Sequence, residues 1–258
     1  MTGHAPSCLL PALSRQALGA PCLAGPCRPR RQGGAALIEF VAGGALVLAL
    51  GLLVLETAYW QLARQVVSLA LLQAARAGAT GHAEPRVMAQ AFETALAPLL
   101  ASGHGAQQAR ARVQAIAAQR AARAGLPAWR IQVLSPTPAH FADFARPGIG
   151  PQGGRAIAHD YQFEQHGDHL GKWPAGRGPR SGQTIFQANV LALRLTYLHQ
   201  PLSPWFGALL RVLAGDGPAA QAMRRAGLLP ITVQTGVTLQ SNARSWPAWR
   251  APGGWIGP

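Results

Sequence analysis

From Ala35 to Leu55 the chain reads AALIEFVAGGALVLALGLLVL, 21 residues with a single charge, Glu39. No other feature constrains the fold as much. A helix satisfies its backbone polar groups internally, and at ~1.5 Å per residue this run reaches roughly 31 Å, the thickness of a bilayer's hydrocarbon core. Arg28, Arg30 and Arg31 lie just before it and Glu56 just after. An arginine excess marks the cytoplasmic flank, so residues 1–34 are expected in the cytoplasm and the C-terminal part, in a bacterium, in the periplasm. The run exceeds the roughly 7–15 apolar residues of a secretory signal. Ala58 is preceded at minus three by Glu56 rather than by a small residue, so the segment is expected to stay as a single-pass anchor.

Beyond the span, Glu56–Ala79 has no proline, and no glycine before Gly78, so one helix is expected over residues 35–79, ended by Gly78, Gly81 and Pro85. Tyr59, Leu62, Val66, Leu69 and Gln73 fall at helical spacing, with Arg64, Gln65 and Ser68 on another face. Two further helices follow. One carries Met88, Phe92, Ala95, Leu96, Leu99 and Leu100; the other, Ala106–Ala124, carries Val113, Ile116 and Ala117, with Arg110, Arg112, Arg120 and Arg123 expected on a solvated face. The pattern then changes to period two. Trp129, Ile131 and Val133; Leu191, Leu193, Leu195 and Tyr197; and Ile231, Val233, Thr235, Val237 and Leu239 read as three strands with one apolar face each. Amphipathic helices supply the cover such a sheet needs. Pro204–Ala214 is expected to form a small helix, residues 146–182 a long loop rich in Gly, Pro, His and Arg, and residues 246–258 an irregular Trp-rich tail. The fold class is α+β: a long N-terminal transmembrane helix running into a domain, residues 80–245, with more helices and a small antiparallel sheet.

Composition excludes two classes. With 49% hydrophobic residues the chain is not a disordered one. Cys8, Cys22 and Cys27 all precede the apolar run, so nothing downstream is built on disulfides.

The junction at residues 33–40 carries the functional signal. A basic leader, Gly33-Gly34 and then AALIEF opening an apolar helix resemble the class III signal of type IV prepilins and pseudopilins. With Tyr59 just outside the span and AARAGA at Ala74–Ala79, the chain is similar in particular to the TadE-like minor pseudopilins of tight-adherence (Flp, type IVb) pilus assembly. The likeness covers about 50 residues closely; beyond them it is only the general helix-then-sheet order. It implies a pilin-like fold and cleavage of residues 1–34 by a prepilin peptidase between Gly34 and Ala35, leaving Glu39 as the fifth mature residue and Phe40 beside it. It further implies assembly with other pseudopilins, pilins and the inner-membrane pilus machinery, a place in the inner membrane or in the pilus, and a part in cell adhesion. Proline is common partway along such helices; this chain has Gly43-Gly44 and Gly51 instead, which kink the helix, let neighbouring helices approach closely, or are simply tolerated, as glycine commonly is in membrane helices.

Elementary electrostatics favours the same residues. A carboxylate costs on the order of 2.5–3.5 kcal/mol at mid-bilayer and is seldom kept there without a partner. Cleavage after Gly34 would create an amine at Ala35, four residues from Glu39 and on the same helix face. In a filament the amine of a neighbouring subunit is the better partner.

Other features are weaker. His159, His166, Asp168 and His169 are close enough in sequence to suggest a zinc-like site, although their spacing matches no known motif; a solvated polar loop is the preferred reading and no metal or other cofactor is expected. No HExxH, GxSxG or P-loop pattern occurs, and an enzyme is not expected. Without residues 1–34 there remain 19 basic residues against 9 acidic. These are scattered, so nucleic acid is not an expected partner. A signal-anchored periplasmic protein of another class, binding DNA or the envelope or working as a metal-dependent enzyme, stands as the alternative. Trp246, Trp249 and Trp255 could dock on a partner, sit at a membrane interface or pack on the domain's own sheet.

Overall fold

The computed structural model describes residues 35–100, 106–150, 153–212, 226–247 and 255–257. The elements run α1 (Ala35–Thr80), α2 (Pro85–Leu100), α3 (Ala106–Ala124), β1 (Trp129–Ser135), α4 (Pro138–Phe144), β2 (Ala145–Arg146), β3 (Ala156–Ile157), α5 (Gln162–Leu170), α6 (Ile185–Ala188), β4 (Val190–His199), α7 (Pro204–Val212), β5 (Leu229–Thr238), β6 (Ala243–Arg244) and β7 (Trp255–Ile256). The molecule divides between Val47 and Leu48. In the first unit the described residues are the opening turns of α1. The second holds the rest of α1 and the α+β domain.

The main sheet is antiparallel, in the order β5-β4-β1-β7. Trp129 faces Tyr197, Ile131 faces Leu195 and Val133 faces Leu193 across β1 and β4, while Leu195 faces Val233 and Tyr197 faces Ile231 across β4 and β5. This register puts Leu191, Leu193, Leu195, Tyr197, Trp129 and Ile131 on one buried face, as period-two alternation requires. The helices cover it. Met88, Phe92 and Leu96 of α2 and Val113 and Ala117 of α3 share one core with these strands, and Phe92 lies 4.8 Å from Trp129, ring to ring.

α1 meets this core along a face that differs from the expected one. Ala63, Val67, Ala70, Leu71, Ala74 and Ala75 are wholly buried, whereas Leu62 and Leu69 are 52% and 61% exposed and Gln73 is exposed. The small residues let the helix backbone lie close to its neighbours, and close approach outweighs the larger burial that leucine would offer. Arg120, expected in solvent, is buried as well: it follows Val113 and Ala117 on the same stripe of α3.

The segment 146–182 is not a long loop. It contains β3, α5 and a 3-10 turn at Pro174–Gly176, and β2, β3 and β6 make a second, small antiparallel sheet. Short elements of this kind leave little periodic signal; aromatic packing organises them. Phe144 meets His169 at 5.1 Å and Trp173 at 5.6 Å, and His169 stacks on Trp173 at 4.9 Å. The tail is also partly regular, because β7 pairs with β1 through Ile256 opposite Ile131.

Candidate functional site

The first turns of α1 carry the residues singled out by the sequence. Gly34 lies outside the described residues; Ala35 is the first residue of α1. Leu37, Ile38, Phe40, Val41, Leu46, Val47, Leu48 and Leu50 are all more than half exposed, and Glu39 is exposed among them. A helix that is apolar all round, with no described residue covering it, has the surface of a bilayer span, and α1 is the one helix among the described residues long and apolar enough to cross a membrane. Glu39 has no ion-pair partner among the described residues. Apart from α1's own adjacent backbone, nothing among the described residues comes within 4 Å of where a Cβ would stand at Gly43, Gly44 or Gly51, so no packing contact among them demands glycine there.

At the end of the apolar run the environment reverses. Glu56 is 3% exposed. Its Oε1 accepts from the Leu202 N–H at 2.9 Å, and its Oε2 accepts from the Ser203 N–H at 3.0 Å and the Ser203 hydroxyl at 2.7 Å. The carboxylate thereby ties α1 to the start of α7. Thr57, Trp60, Phe206, Leu229 and Pro230 line, with Glu56, a cleft of about 290 Å³ beside this tie. One turn further, Tyr59 packs against His199 at 5.1 Å, and the Arg64 guanidinium stands 5.6 Å above the Trp60 ring. His199 is buried, and its Nε2 has no hydrogen-bond partner among the described residues. Burial pushes its pKa down to about 4, helped by Arg120 and opposed by Glu56. Arg120 donates from Nη1 to the Tyr197 hydroxyl at 2.6 Å and to the Leu198 carbonyl at 3.1 Å. Burial raises the Tyr197 pKa, with Arg120 acting against it. Two features of the sequence could have revealed this cluster: Ser203-Pro204, a helix-start pattern with N–H groups to satisfy, and the seven-residue step from Val113 to Arg120.

AARAGA acquires a physical meaning at the other end of α1. Ala74, Ala75 and Ala79 are buried, and a Cβ on Gly78 would stand 2.6 Å from Met88 Sδ and 2.9 Å from Leu191 Cδ2. The Ala79 carbonyl accepts from the Gln240 N–H at 3.0 Å and the Ser241 hydroxyl at 2.8 Å. Ser241 Oγ in turn accepts from the His82 N–H at 2.8 Å, and the Trp246 indole donates to the His82 carbonyl at 3.0 Å. Trp246 is thus packed on its own domain, under the Arg244 guanidinium at 4.9 Å; Trp249 lies outside the described residues.

The histidine-rich segment does not converge on a metal site. Among the described residues no group of three or more His, Cys, Asp or Glu side chains is placed to hold an ion. His159 is bonded to Asn242 Oδ1 at 2.9 Å and lies 3.0 Å from Asp160; His166 packs on Phe186 at 5.0 Å; His169 is stacked on Trp173; and Asp168 is exposed. α5 turns His166 and His169 to different neighbours, and His159 lies before it. No family model matches this chain, and no curated protein or solved structure matches it either.

Proposed function

We propose that this protein is a TadE-like minor pseudopilin, a non-enzymatic component of tight-adherence pilus assembly held in the bacterial inner membrane by α1. The observation that carries the reading is Glu39, a lone carboxylate at the fifth position after Gly34 on a helix apolar all round. On this reading prepilin peptidase cuts between Gly34 and Ala35 on the cytoplasmic side, and the domain stands in the periplasm. The uncovered apolar surface from Leu37 to Leu50 then packs laterally against the helices of companion pseudopilins. Gly44 and Gly51, two turns apart on one face, lie against no neighbour among the described residues and suit such close approach. Glu39 meets the Ala35 amine of a neighbouring subunit, so that both charges are neutralised away from water.

The test is the N-terminus and intact mass of the membrane-extracted protein from cells with and without the peptidase. A mature start at Ala35 that disappears with the peptidase supports the reading; an uncleaved chain in both strains rejects it. Glu39→Ala is then expected to be cut normally and yet to lose co-purification with its partners.

A further inference from the structure

Two apolar side chains near the emerging end of the apolar run are open to solvent. Leu202 is 65% exposed and Trp205 39% exposed. Leu202 precedes Ser203 and Trp205 follows it two residues on, and the backbone N–H and hydroxyl of Ser203 are held by Glu56. Glu56 is the residue that follows the apolar run Ala35–Leu55, so residues 202–203 stand within one hydrogen bond of the point where α1 leaves its lipid-like stretch. Trp60, one turn further along α1, and Phe206 border the neighbouring cleft, and the Trp205 and Phe206 rings meet edge to face at 5.8 Å. Indole rings and a leucine gathered at that level, beside a carboxylate held by three internal hydrogen bonds, match the headgroup layer, where an amphipathic ring is better placed than in water or in hydrocarbon.

We propose that Leu202 and Trp205, at the start of α7, lie in the headgroup layer of the phospholipid bilayer that α1 crosses, giving the domain a second point of attachment. The proposal rests on the reading that α1 spans that bilayer. It brings the start of α7 to the membrane surface and fixes the tilt of the domain against the bilayer, because α1, packed in the domain's core, carries the domain with it and a second contact resists tipping. Glu56 acquires a purpose as well, since its three hydrogen bonds hold residues 202–203 at the depth where α1 emerges.

The test uses the full chain in vesicles of phosphatidylcholine and phosphatidylglycerol, in a Cys8→Ser, Cys22→Ser, Cys27→Ser background with one nitroxide-labelled cysteine at a time. Leu202→Cys reports the proposed contact and Leu48→Cys reports the span. Gln240→Cys reports a point beside Ala79, which lies about 35 Å along α1 from Glu56 at ~1.5 Å per residue. Power saturation compares access by oxygen, which concentrates in lipid, with access by a water-soluble nickel chelate. The expected result is a severalfold higher oxygen-to-nickel ratio at residue 202 than at residue 240. A nickel access at 202 equal to that at 240 overturns the proposal, while an oxygen-favoured Leu48→Cys keeps the span. Low access by both reagents at 202 means cover by protein, such as a second copy, and also overturns it. Nickel access at 48 rejects the span and the proposal with it. A second measurement needs no label: Trp205→Phe should lower the fraction of tryptophan fluorescence quenched by lipid brominated near the headgroup, and an unchanged fraction contradicts the contact.

Discussion

Glu39 and Glu56 stand on the same helix with opposite surroundings, the first exposed and without an ion-pair partner among the described residues, the second buried under three donors. Removing a buried carboxylate strands its donors, so Glu56→Ala should lower the stability of the domain by about 2–4 kcal/mol. Glu39→Ala should leave it within ~0.5 kcal/mol. Thermal unfolding of the full chain in detergent measures both. His199 gives the domain a dependence on acid. Folded, it stays neutral down to about pH 4, whereas the unfolded chain takes up the proton near the ordinary histidine value of 6.5. Its contribution to stability is therefore complete above pH 6.5 and falls as the pH drops toward 4, by at most ~1.4 kcal/mol per unit. His169, lowered chiefly by its burial, acts in the same direction. The melting temperature should fall across this window, and His199→Phe, which keeps a ring against Tyr59, should flatten the fall.

Among the elements, the close seat of α1 rests on residues that hydrophobic pattern reading undervalues. Gly78→Ala forces its new methyl onto Met88 and Leu191 and should cost about 1–3 kcal/mol. In a Met88→Ala background the same change should cost less, and chemical denaturation of the four variants measures the coupling. How much of this was legible in the sequence depends on element length. α2, α3, β1, β4 and β5 run 16, 19, 7, 10 and 10 residues, enough turns or alternations for the period to stand out. The buried face of α1 was missed because alanine carries a weak hydrophobic signal beside Leu62 and Leu69, and geometry prefers the smaller side chain. Arg120 was missed because its charge outweighed its position on the Val113–Ala117 stripe. The elements within 146–182 depend on contacts of Phe144, His169, Trp173 and Phe186, which no local window contains. At the candidate site Glu39 was legible from its isolation, but the partners of Glu56 were not, since they lie 146 and 147 residues away.

Over the whole molecule α1 and the turn that follows it are tied to residues far along the chain: Glu56 to residues 202–203, Ala79 to residues 240–241, and His82, just past α1, to Ser241 and Trp246. Synthesis runs from the N-terminus, so α1 is made long before any of these partners. On the proposed topology the helix enters the bilayer first and waits, and the domain closes only when residues 202–203 and 240–246 have crossed as well. A chain stopped after Leu239 should therefore remain in the membrane fraction yet be digested by added protease under conditions where the full-length domain resists. The arrival of residues 240–246, rather than that of α1, sets the moment at which this domain becomes folded.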